Sequence, residues 1–346
     1  MSEDSSSVAS ATAIDDIASS TTTSLPYDGG FYFQYAVVVI GVVGAAANTL
    51  VLYAMVASEE HKKQFLIFNQ NALDLCSSTF VVIFFTMKLS NINYTGTVWL
   101  CTIFYRDNLV WASIDGSTIN LLSITIERYV KVVHANRSKK VLRKWVRWSA
   151  AAFAWIAPIA YKMALVISKS PFMDGVCNNY VIFKNETAAI AHGIWNFISF
   201  YMISVFVFTF CYWKILVVIR RQARVMAGYC SHGSSTSQTQ SSQIQSNVTK
   251  TMILVSSFYI ILWCPSNIYY LILHFKSDAD NTGYFVVMFL GFFYISANPF
   301  IYSVKFHPVR RILVGLIPRK KSQQAGESAE MPASGTVTTR TTYQRN

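Results

Sequence analysis

Charged residues are scarce in this sequence. Asp, Glu, Lys and Arg make up 13% of its 346 residues, whereas a soluble protein normally carries about 25%. Hydrophobic residues reach 53% instead. The six His residues are scattered, and no group of His, Cys and carboxylates has the convergent spacing that an enzyme requires. The composition therefore favours a membrane protein that is not an enzyme.

Acidic residues are the scarcer of the two charges, 17 against 29 basic residues, and the formal net charge is +12. In a soluble protein such an excess suggests a nucleic-acid partner. Here, however, 23 of the 29 Lys and Arg lie at short segments between long apolar runs. They are Arg128 and the basic residues of 58–64, 131–147, 214–250 and 303–346. Because such clusters mark the cytosolic side of a membrane, no nucleic-acid partner is expected.

Seven apolar segments are each long enough to cross a bilayer as a helix, which takes about 20 residues. Their predicted limits are Phe33–Ala57, Phe65–Lys88, Val98–Val133, Trp145–Ser168, Ala188–Ile219, Met252–Phe275 and Tyr284–Val304. The sequence therefore predicts an all-α membrane protein with a seven-transmembrane helix bundle over residues 33–305. Residues 306–317 have the basic amphipathic pattern of a short helix on the membrane surface.

The two chain ends are predicted to lie on opposite sides of the membrane. No Lys or Arg precedes Lys62, so residues 1–32 form an extracellular tail and residues 318–346 a cytosolic one. Both tails are rich in Ser and Thr, which predicts disorder, and so does the low-complexity segment 225–249. The six basic residues outside the cytosolic segments, Lys162 among them, are assigned to the outer side.

Short motifs occur in order along these spans. They are Asn48, Asp74, Glu127-Arg128-Tyr129, Trp148 with Pro158, Trp263 with Pro265, and Asn298-Pro299 with Tyr302. Together they resemble the rhodopsin-like (class A) G-protein-coupled receptors, over roughly residues 35–317. The resemblance implies a multi-pass receptor of the plasma membrane. Such a receptor binds an extracellular ligand and activates a heterotrimeric G protein by rearranging its helices.

The resemblance also assigns roles to motif residues. It places the G-protein coupling and activation switch at Glu127, Arg128, Tyr129, Tyr212, Asn298, Pro299 and Tyr302, and a toggle and hinge at Trp263 and Pro265. Two residues depart from the family pattern. Ser204 replaces the expected proline of the fifth helix, and Tyr259 replaces a phenylalanine of the sixth. No acidic lock residue lies near Gln245 on the sixth helix, so we expect some signalling without ligand.

Asp74 is an ionisable group within a span, where a charge costs at least about 2.5 kcal/mol and therefore needs a partner. The resemblance implies an allosteric sodium ion there, with Ser113, Ser117 and Asn298 as further ligands. Oxygen ligands suit such a hard cation. The alternative is that Asp74 is only hydrogen-bonded to Asn48 and Asn298. No other cofactor is expected.

Several outer and cytosolic features follow from the resemblance and the topology. Cys101 and Cys177 match the family's disulfide, which is stable in the oxidising exterior. Asn93 and Asn185 begin outward-facing glycosylation sequons. The cytosolic tail offers Ser and Thr residues to receptor kinases and, once phosphorylated, to arrestin. The basic cytosolic collar favours contact with anionic membrane lipid.

The family's ligand pocket lies between the outer halves of the third, fifth, sixth and seventh helices. Candidate lining residues are Arg106, Val110, Trp111, Ile114, Asp115, His192, Asn196, Asn267, Tyr270, His274, Tyr284 and Met288. Val110 occupies the position of the amine-binding Asp, and Phe292 that of the retinal-linking Lys, so a monoamine receptor and a photopigment are not expected.

The ligand class is open at this point. Charged and aromatic residues near the outer rim favour a peptide, with a small non-peptide ligand as the alternative. A seven-helix transporter is the less favoured reading, because only Asp74 and Asp115 are ionisable deep in the bundle. Asp115 either anchors a cationic ligand group or is a hydrogen-bonded structural acid.

Overall fold

The computed structural model describes residues 29–90, 107–167, 172–173, 176–177, 186–229, 236–273 and 281–316. We number the membrane helices α1 to α7 and the following surface helix α8. Six of the seven are α1 Gly29–Ala57, α2 Phe65–Leu89, α3 Asn108–Val133, α4 Lys144–Ile167, α6 Thr236–Leu273 and α7 Asn281–Lys305. Helix α5 has three consecutive parts, namely Glu186–Asn196, a π-helical turn Phe197–Met202, and Ile203–Tyr229. Helix α8 spans His307–Leu316.

Small elements connect these helices. One-turn and two-turn helices, Glu60–Lys63 and Ala135–Val141, precede α2 and α4. Between α4 and α5, strand β1 (Phe172–Met173) pairs antiparallel with β2 (Val176–Cys177), with Phe172 opposite Cys177. Sequence analysis had not predicted this hairpin.

Six helices, α1, α2, α3, α5, α6 and α7, are long and apolar enough to cross a membrane. Helix α4 has 24 residues, about 36 Å at 1.5 Å per residue, and so is also long enough. It is less apolar because it contains Lys144, Arg147 and Lys162. Its Phe153 and Ile156 are 60% and 66% exposed, as expected of a lipid-facing surface. The predicted all-α seven-helix bundle is confirmed.

The helices pack in a ring that α7 closes against α1, with α3 near the middle. Helix α3 contacts α2, α4, α5 and α6. It buries 61% of its most apolar stretch, whereas the other five apolar spans bury 28–39% of theirs. This position explains why α3 is the least apolar of the six. Its Ser, Thr and Asn side chains face other helices rather than lipid, so they can find hydrogen-bond partners there.

Four helix limits differ from the prediction by four residues or more. Helix α3 begins at Asn108, directly after Asp107 in a left-handed backbone conformation, and not at Val98. The other three helices are longer than predicted. Helix α6 begins at Thr236 and not at Met252, so residues 236–249, which we expected to be disordered, are helical. Helix α5 continues to Tyr229, and α1 begins at Gly29. The reason is that hydropathy marks only the part of a helix inside the bilayer. Polar helical turns that project beyond it carry no apolar signal.

Helices α3 and α4 approach each other closely at Gly116. A Cβ atom on Gly116 would lie 2.5 Å from the backbone carbonyl oxygen of Ala154. Backbone cannot yield as a flexible side chain can, so only glycine fits here. This contact sets the spacing of α3 and α4, and with it the register of the polar residues described below.

We expect Gly116→Ala to destabilise the folded protein by about 1–3 kcal/mol, the usual cost of overpacking a close contact. Thermal unfolding of the purified full-length protein in detergent would measure it. Gly315→Ala in α8 is the matched control, because a Cβ there meets nothing within 4 Å. Equal melting temperatures for the two variants would contradict the proposed contact.

Candidate functional site

Asp74 joins three helices at the centre of the bundle. Its Oδ1 accepts hydrogen bonds from Ser117 Oγ of α3 at 2.6 Å and from Gln70 Nε2 of α2 at 3.2 Å. Its Oδ2 accepts one from Asn298 Nδ2 of α7 at 3.0 Å. Each of these three donors is neutral, so none of these hydrogen bonds brings a cation against the carboxylate.

A chain of amides extends this centre toward α4. Asn120 Nδ2 donates to Gln70 Oε1 at 2.8 Å, and Asn69 Nδ2 donates to Asn120 Oδ1 at 2.9 Å. Trp155 Nε1 of α4 then donates to Asn69 Oδ1 at 2.9 Å. Gln70 and Asn120 were not among the residues predicted for this site. Their helical spacing was the available signal, since Gln70 lies four residues before Asp74 on the same face.

Two residues that were expected to contact Asp74 form hydrogen bonds with backbone carbonyl groups instead. Ser113 Oγ donates to the Val110 carbonyl at 2.8 Å, and Asn48 Nδ2 donates to the Gly44 carbonyl at 3.0 Å. Asn298 Oδ1 is buried and accepts no hydrogen bond from any described residue. The oxygens of Asp74, Ser117 and this free amide oxygen therefore form a donor set that fits a hard cation.

Arg128 lies near the C-terminal end of α3 with only 2% of its surface exposed. Its guanidinium donates a hydrogen bond to Gln64 Oε1. The carboxylate of Glu127 is 3.9 Å away, while Glu127 Oε1 accepts a hydrogen bond from Lys131 Nζ at 2.7 Å. The closest charged partner of Glu127 is thus Lys131, and Arg128 is bound mainly by a neutral amide.

Gln64 lies at the junction between the short helix Glu60–Lys63 and α2. It ends the short helix, where its N–H donates to the Glu60 carbonyl at 2.7 Å, and its own carbonyl accepts from Ile67 N at 3.0 Å at the start of α2. Next to it, Lys63 donates to Glu60 at 2.9 Å, and this hydrogen bond raises the pKa of Lys63. Sequence analysis missed Gln64, which carries no motif, and Lys131, which follows Glu127 at the i+4 spacing of helical ion pairs.

The tyrosines of the expected switch occupy distinct environments. Tyr212 OH of α5 lies 2.9 Å from Thr125 Oγ1 of α3 and 3.0 Å from Ser256 Oγ of α6. It therefore ties three helices together. Tyr302 OH of α7 is buried and has no hydrogen-bond partner among the described residues. Tyr129 OH approaches His134 Nε2 at 3.4 Å, near the end of α3.

Trp263 lies two residues before Pro265, and both are inside α6. Its indole packs against Gly291 of α7, where a Cβ would come within 2.9 Å of the ring. The ring of Trp111 in α3 lies 6.4 Å from that of Trp263. Asn267 Nδ2 donates to the Trp263 carbonyl at 2.8 Å. The predicted toggle and hinge are thus in contact with α3 and α7.

The two departures from the family pattern meet at one carbonyl group. Ser204 Oγ donates to the Phe200 carbonyl at 2.7 Å, and Tyr259 OH of α6 donates to the same oxygen at 3.0 Å. In return Tyr201 OH of α5 donates to the Ile260 carbonyl of α6 at 3.0 Å. Phe200 and Tyr201 belong to the π-helical turn. We call this reciprocal pair of tyrosine hydrogen bonds the α5–α6 clasp.

The candidate pocket residues divide into two groups. The first surrounds Trp111, whose Nε1 donates to Asp107 Oδ2 at 2.8 Å and whose ring lies 6.3 Å from that of Phe292. It comprises residues of α3, α6 and α7, namely Val110, Trp111, Ile114, Asn267, Tyr284 and Met288. Val110, Ile114 and Met288 are buried.

The second group lies between α3, α4 and α5. Asp115 Oδ2 is 3.0 Å from Lys162 Nζ of α4, and the Lys162 side chain is 14% exposed, so this lysine points into the bundle. Tyr161 OH lies 3.3 Å from His192 Nε2, and Asn196 Nδ2 is 3.2 Å from the same nitrogen. Asn196 also hydrogen-bonds Tyr270 of α6, which links the two groups.

Several predicted residues lie outside the described part of the chain. They are Arg106, His274, Cys101, Asn93 and Asn185, together with most of both tails. Cys177 is in β2, but its partner is not among the described residues, so the disulfide stays a prediction. The two sequons stay predictions for the same reason.

The fold and its buried polar centres are those of a multi-pass membrane bundle. Residues 47–302 match the family described as 7 transmembrane receptor (rhodopsin family). The chain belongs to this family, and the predicted resemblance is confirmed.

Several known proteins are similar to this chain at low sequence identity. Melanopsin-A of Gadus morhua is 22% identical over 317 residues, covering 86% of this chain and 54% of its own length. The tachykinin-like peptides receptor 86C of Drosophila melanogaster is 22% identical over 281 residues, covering 75% and 53%. The somatostatin receptor type 3 of Mus musculus is 24% identical over 311 residues, covering 86% and 72%. The chain spans about half the length of the first two.

Among solved structures, squid rhodopsin superposes with a TM-score of 0.69 at 15% identity. The match covers 85% of this chain and 87% of that one. At this identity the likeness concerns the fold alone, and it agrees with the seven-helix bundle described above.

Proposed function

We propose that this protein is a receptor of the plasma membrane that binds an extracellular ligand and activates a heterotrimeric G protein through helix rearrangement. Its N-terminus lies outside and its C-terminus in the cytosol. The observation that carries the proposal is the arrangement of Arg128. This cation is buried beside the cytosolic surface and bound by Gln64, an arrangement suited to release toward a partner.

The mechanism uses the contacts of α5 and α6. A ligand that displaces Trp111 or Trp263 moves α6 about Pro265, since a proline in a helix weakens its backbone hydrogen bonding. Movement of α6 separates Tyr212 from Ser256. Arg128 then leaves Gln64 and becomes available to the G protein at the cytosolic surface.

Expression of the full chain in cultured cells tests this proposal. We expect altered cyclic AMP, calcium or arrestin recruitment relative to untransfected cells, and loss of the G-protein signal in Arg128→Ala at equal surface expression. Tyr53→Phe, at a residue of α1 that is 55% exposed, serves as the control variant. No difference from untransfected cells, with or without a peptide library, would contradict the proposal.

A peptide is the preferred ligand. Trp111, Tyr269 and Tyr284 give the outer part of the bundle aromatic surface, and Asp107 adds an acid there. Two relatives bear the names of receptors for tachykinin-like peptides and for somatostatin. Asp115 is already paired with Lys162, so a cationic group of the ligand would have to compete with that lysine.

Further partners follow from the same proposal. Receptor kinases and arrestin would act on the tail 318–346, and anionic lipid would contact the basic cytosolic collar. We also propose an allosteric sodium ion at Asp74, held with Ser117 and Asn298. The buried, unpartnered Asn298 Oδ1 supports it.

We expect sodium chloride to raise the melting temperature of the purified receptor above its value in choline chloride at equal ionic strength. Asp74→Asn should abolish this difference because it removes the negative charge of the carboxylate, and Ser117→Ala should reduce it. Ser113→Ala is the matched control, because Ser113 donates to Val110 instead. A sodium effect in Asp74→Asn equal to that of the native chain would argue against the ion.

A further inference from the structure

Lys88 of α2 carries a charge for which the described residues supply no ion-pair partner. It is the last residue but one of α2, whereas Arg128 contacts Gln64 at the other end of that helix. None of the five ion pairs among the described residues includes Lys88, so no carboxylate oxygen of that part of the chain lies within 4.0 Å of its Nζ atom. Asp107 at the start of α3 attracts this lysine from a greater distance, but its Oδ2 accepts a hydrogen bond from Trp111. Within the described structure, the ammonium group is therefore available to an anion.

The helical register of α2 places Lys88 on the face that packs into the bundle. The buried residues Val81, Phe84 and Phe85 mark that face. Lys88 lies three residues after Phe85 and four after Phe84, so it continues the same face by one helical turn. Unlike these neighbours, Lys88 is exposed. A side chain that shares the inner face and is nevertheless accessible lies at the open end of the bundle, where a molecule from outside can reach it.

Aromatic rings lie next to the ammonium group of Lys88. Its Nζ atom is 4.6 Å from the centroid of the Phe84 ring and 5.9 Å from that of Phe85. The Phe85 ring in turn lies 5.8 Å from that of Phe33 in α1 and 5.5 Å from that of Phe292 in α7. The faces of such rings attract a cation, but they do not form the charge-assisted hydrogen bonds that a carboxylate forms with an ammonium group.

The cluster of rings continues from Phe33 toward α6. Phe285 of α7 stacks on Phe33 with centroids 4.9 Å apart, Tyr284 lies 5.9 Å from Phe285, and Tyr269 of α6 lies 6.1 Å from Tyr284. Tyr284 is 38% exposed, so the edge of this cluster is accessible as well. The end of the bundle that contains Lys88 therefore combines one accessible positive charge with an aromatic surface.

We propose that Lys88 binds a carboxylate of the extracellular ligand, and that the apolar or aromatic part next to this carboxylate packs on the exposed edge of the ring cluster. The proposal rests on the receptor function proposed above and specifies the class of ligand. The carboxylate belongs either to a small organic acid or to the free C-terminus of a peptide, since both present the same group. A single lysine without an ion-pair partner matches a singly charged anion, whereas the amide of the same molecule would form no ion pair. Charge-assisted hydrogen bonds are about twice as strong as neutral ones.

Saturation-transfer NMR on the purified full-length protein in detergent, without a G protein, measures this binding directly. The two probes are phenylbutyrate, a small aromatic acid, and the N-acetylated tripeptide Gly-Gly-Phe with a free carboxylate. Each probe has a neutral counterpart in which the carboxylate is replaced by an amide. We expect at least one of the acids to bind saturably, and at least about tenfold more tightly than its amide. The acid with the higher affinity shows whether the carboxylate comes from a small organic acid or from a peptide.

Substitutions of Lys88 separate its charge from the folding of the protein. Lys88→Met removes the charge and keeps an apolar stem, so it should weaken binding of the acid at least about tenfold, to the level of the amide. Lys88→Arg keeps the charge and should stay within about threefold of the native chain. Neither substitution should change the melting temperature, because Lys88 is exposed. Lys214→Met is the matched control, because Lys214 Nζ also lies over an aromatic ring, 4.9 Å from that of Trp213, but on α5 next to the switch residue Tyr212.

Four results would overturn the carboxylate site. They are the failure of both acids to bind saturably, equal affinities of each acid and its amide, native affinity of the acid in Lys88→Met, and an equal loss of affinity in Lys214→Met. Signalling in cells is measured separately. A chain that binds the acid but activates no G protein would contradict the receptor function and support the carboxylate site. Ligand-dependent signalling without binding of either acid would do the reverse.

Discussion

Gln64→Leu is expected to raise ligand-independent G-protein activation about tenfold or more. A hydrogen bond to a charged group contributes about 1.5–3 kcal/mol, and each 1.4 kcal/mol is a factor of ten in an equilibrium. Without the Gln64 amide, Arg128 keeps only Glu127 at 3.9 Å, and Lys131 already occupies that carboxylate. The conformation in which Arg128 is withdrawn therefore loses its main stabilising contact.

The measurement is nucleotide exchange on a purified G protein, at equal amounts of reconstituted receptor. Gln64→Glu is the informative counterpart because it has nearly the same shape and adds a negative charge beside the guanidinium. It should lower basal exchange below that of the native chain. If both substitutions changed the basal rate in the same direction, Gln64 would be structural and would not hold Arg128.

The second large effect on basal activity is expected when the α5–α6 clasp is removed. We expect the double variant Tyr201→Phe with Tyr259→Phe to raise basal activity between about fivefold and 150-fold, because two hydrogen bonds contribute about 1–3 kcal/mol together. Each substitution removes only a hydroxyl group and leaves the ring packing in place. The melting temperature should fall in parallel.

Tyr53→Phe is the control for the clasp, since Tyr53 of α1 is 55% exposed and lies far from α5 in the ring of helices. The two single variants complete a double-mutant cycle. The clasp would be contradicted if the double variant had the basal activity and the melting temperature of the native chain.

The residues behind these two predictions differ in how far the sequence alone could identify them. Tyr259 and Ser204 could be recognised as departures from a family pattern, but nothing indicated that both donate to the Phe200 carbonyl. That convergence requires the π-helical turn, which rotates the following residues of α5 relative to a regular helix. Gln64 belongs to no sequence motif. Its role follows from the turn before α2, which brings its side-chain amide into hydrogen-bonding contact with Arg128.

Lys162 shows what charge patterning leaves open. Counting basic residues assigned it to the outer side, because the positive-inside rule averages over loops and helix ends. The direction in which one lysine points depends on the rotation of its helix. Here α4 turns Lys162 toward α3, where Asp115 compensates its charge. Asp115 is therefore a paired acid in this structure, and a role for it in binding a ligand stays a prediction.

The sequence by itself determined the seven spans, the motif residues and the family, because hydropathy and short motifs are local properties of the chain. It could not determine the partners of Asp74, Arg128, Tyr259 or Lys162. Each of these contacts joins helices that are far apart in sequence, and its geometry depends on how the helices rotate and slide against one another. Close approaches such as that of Gly116 to Ala154 fix how the helices are positioned against one another. Only the tertiary structure contains this information.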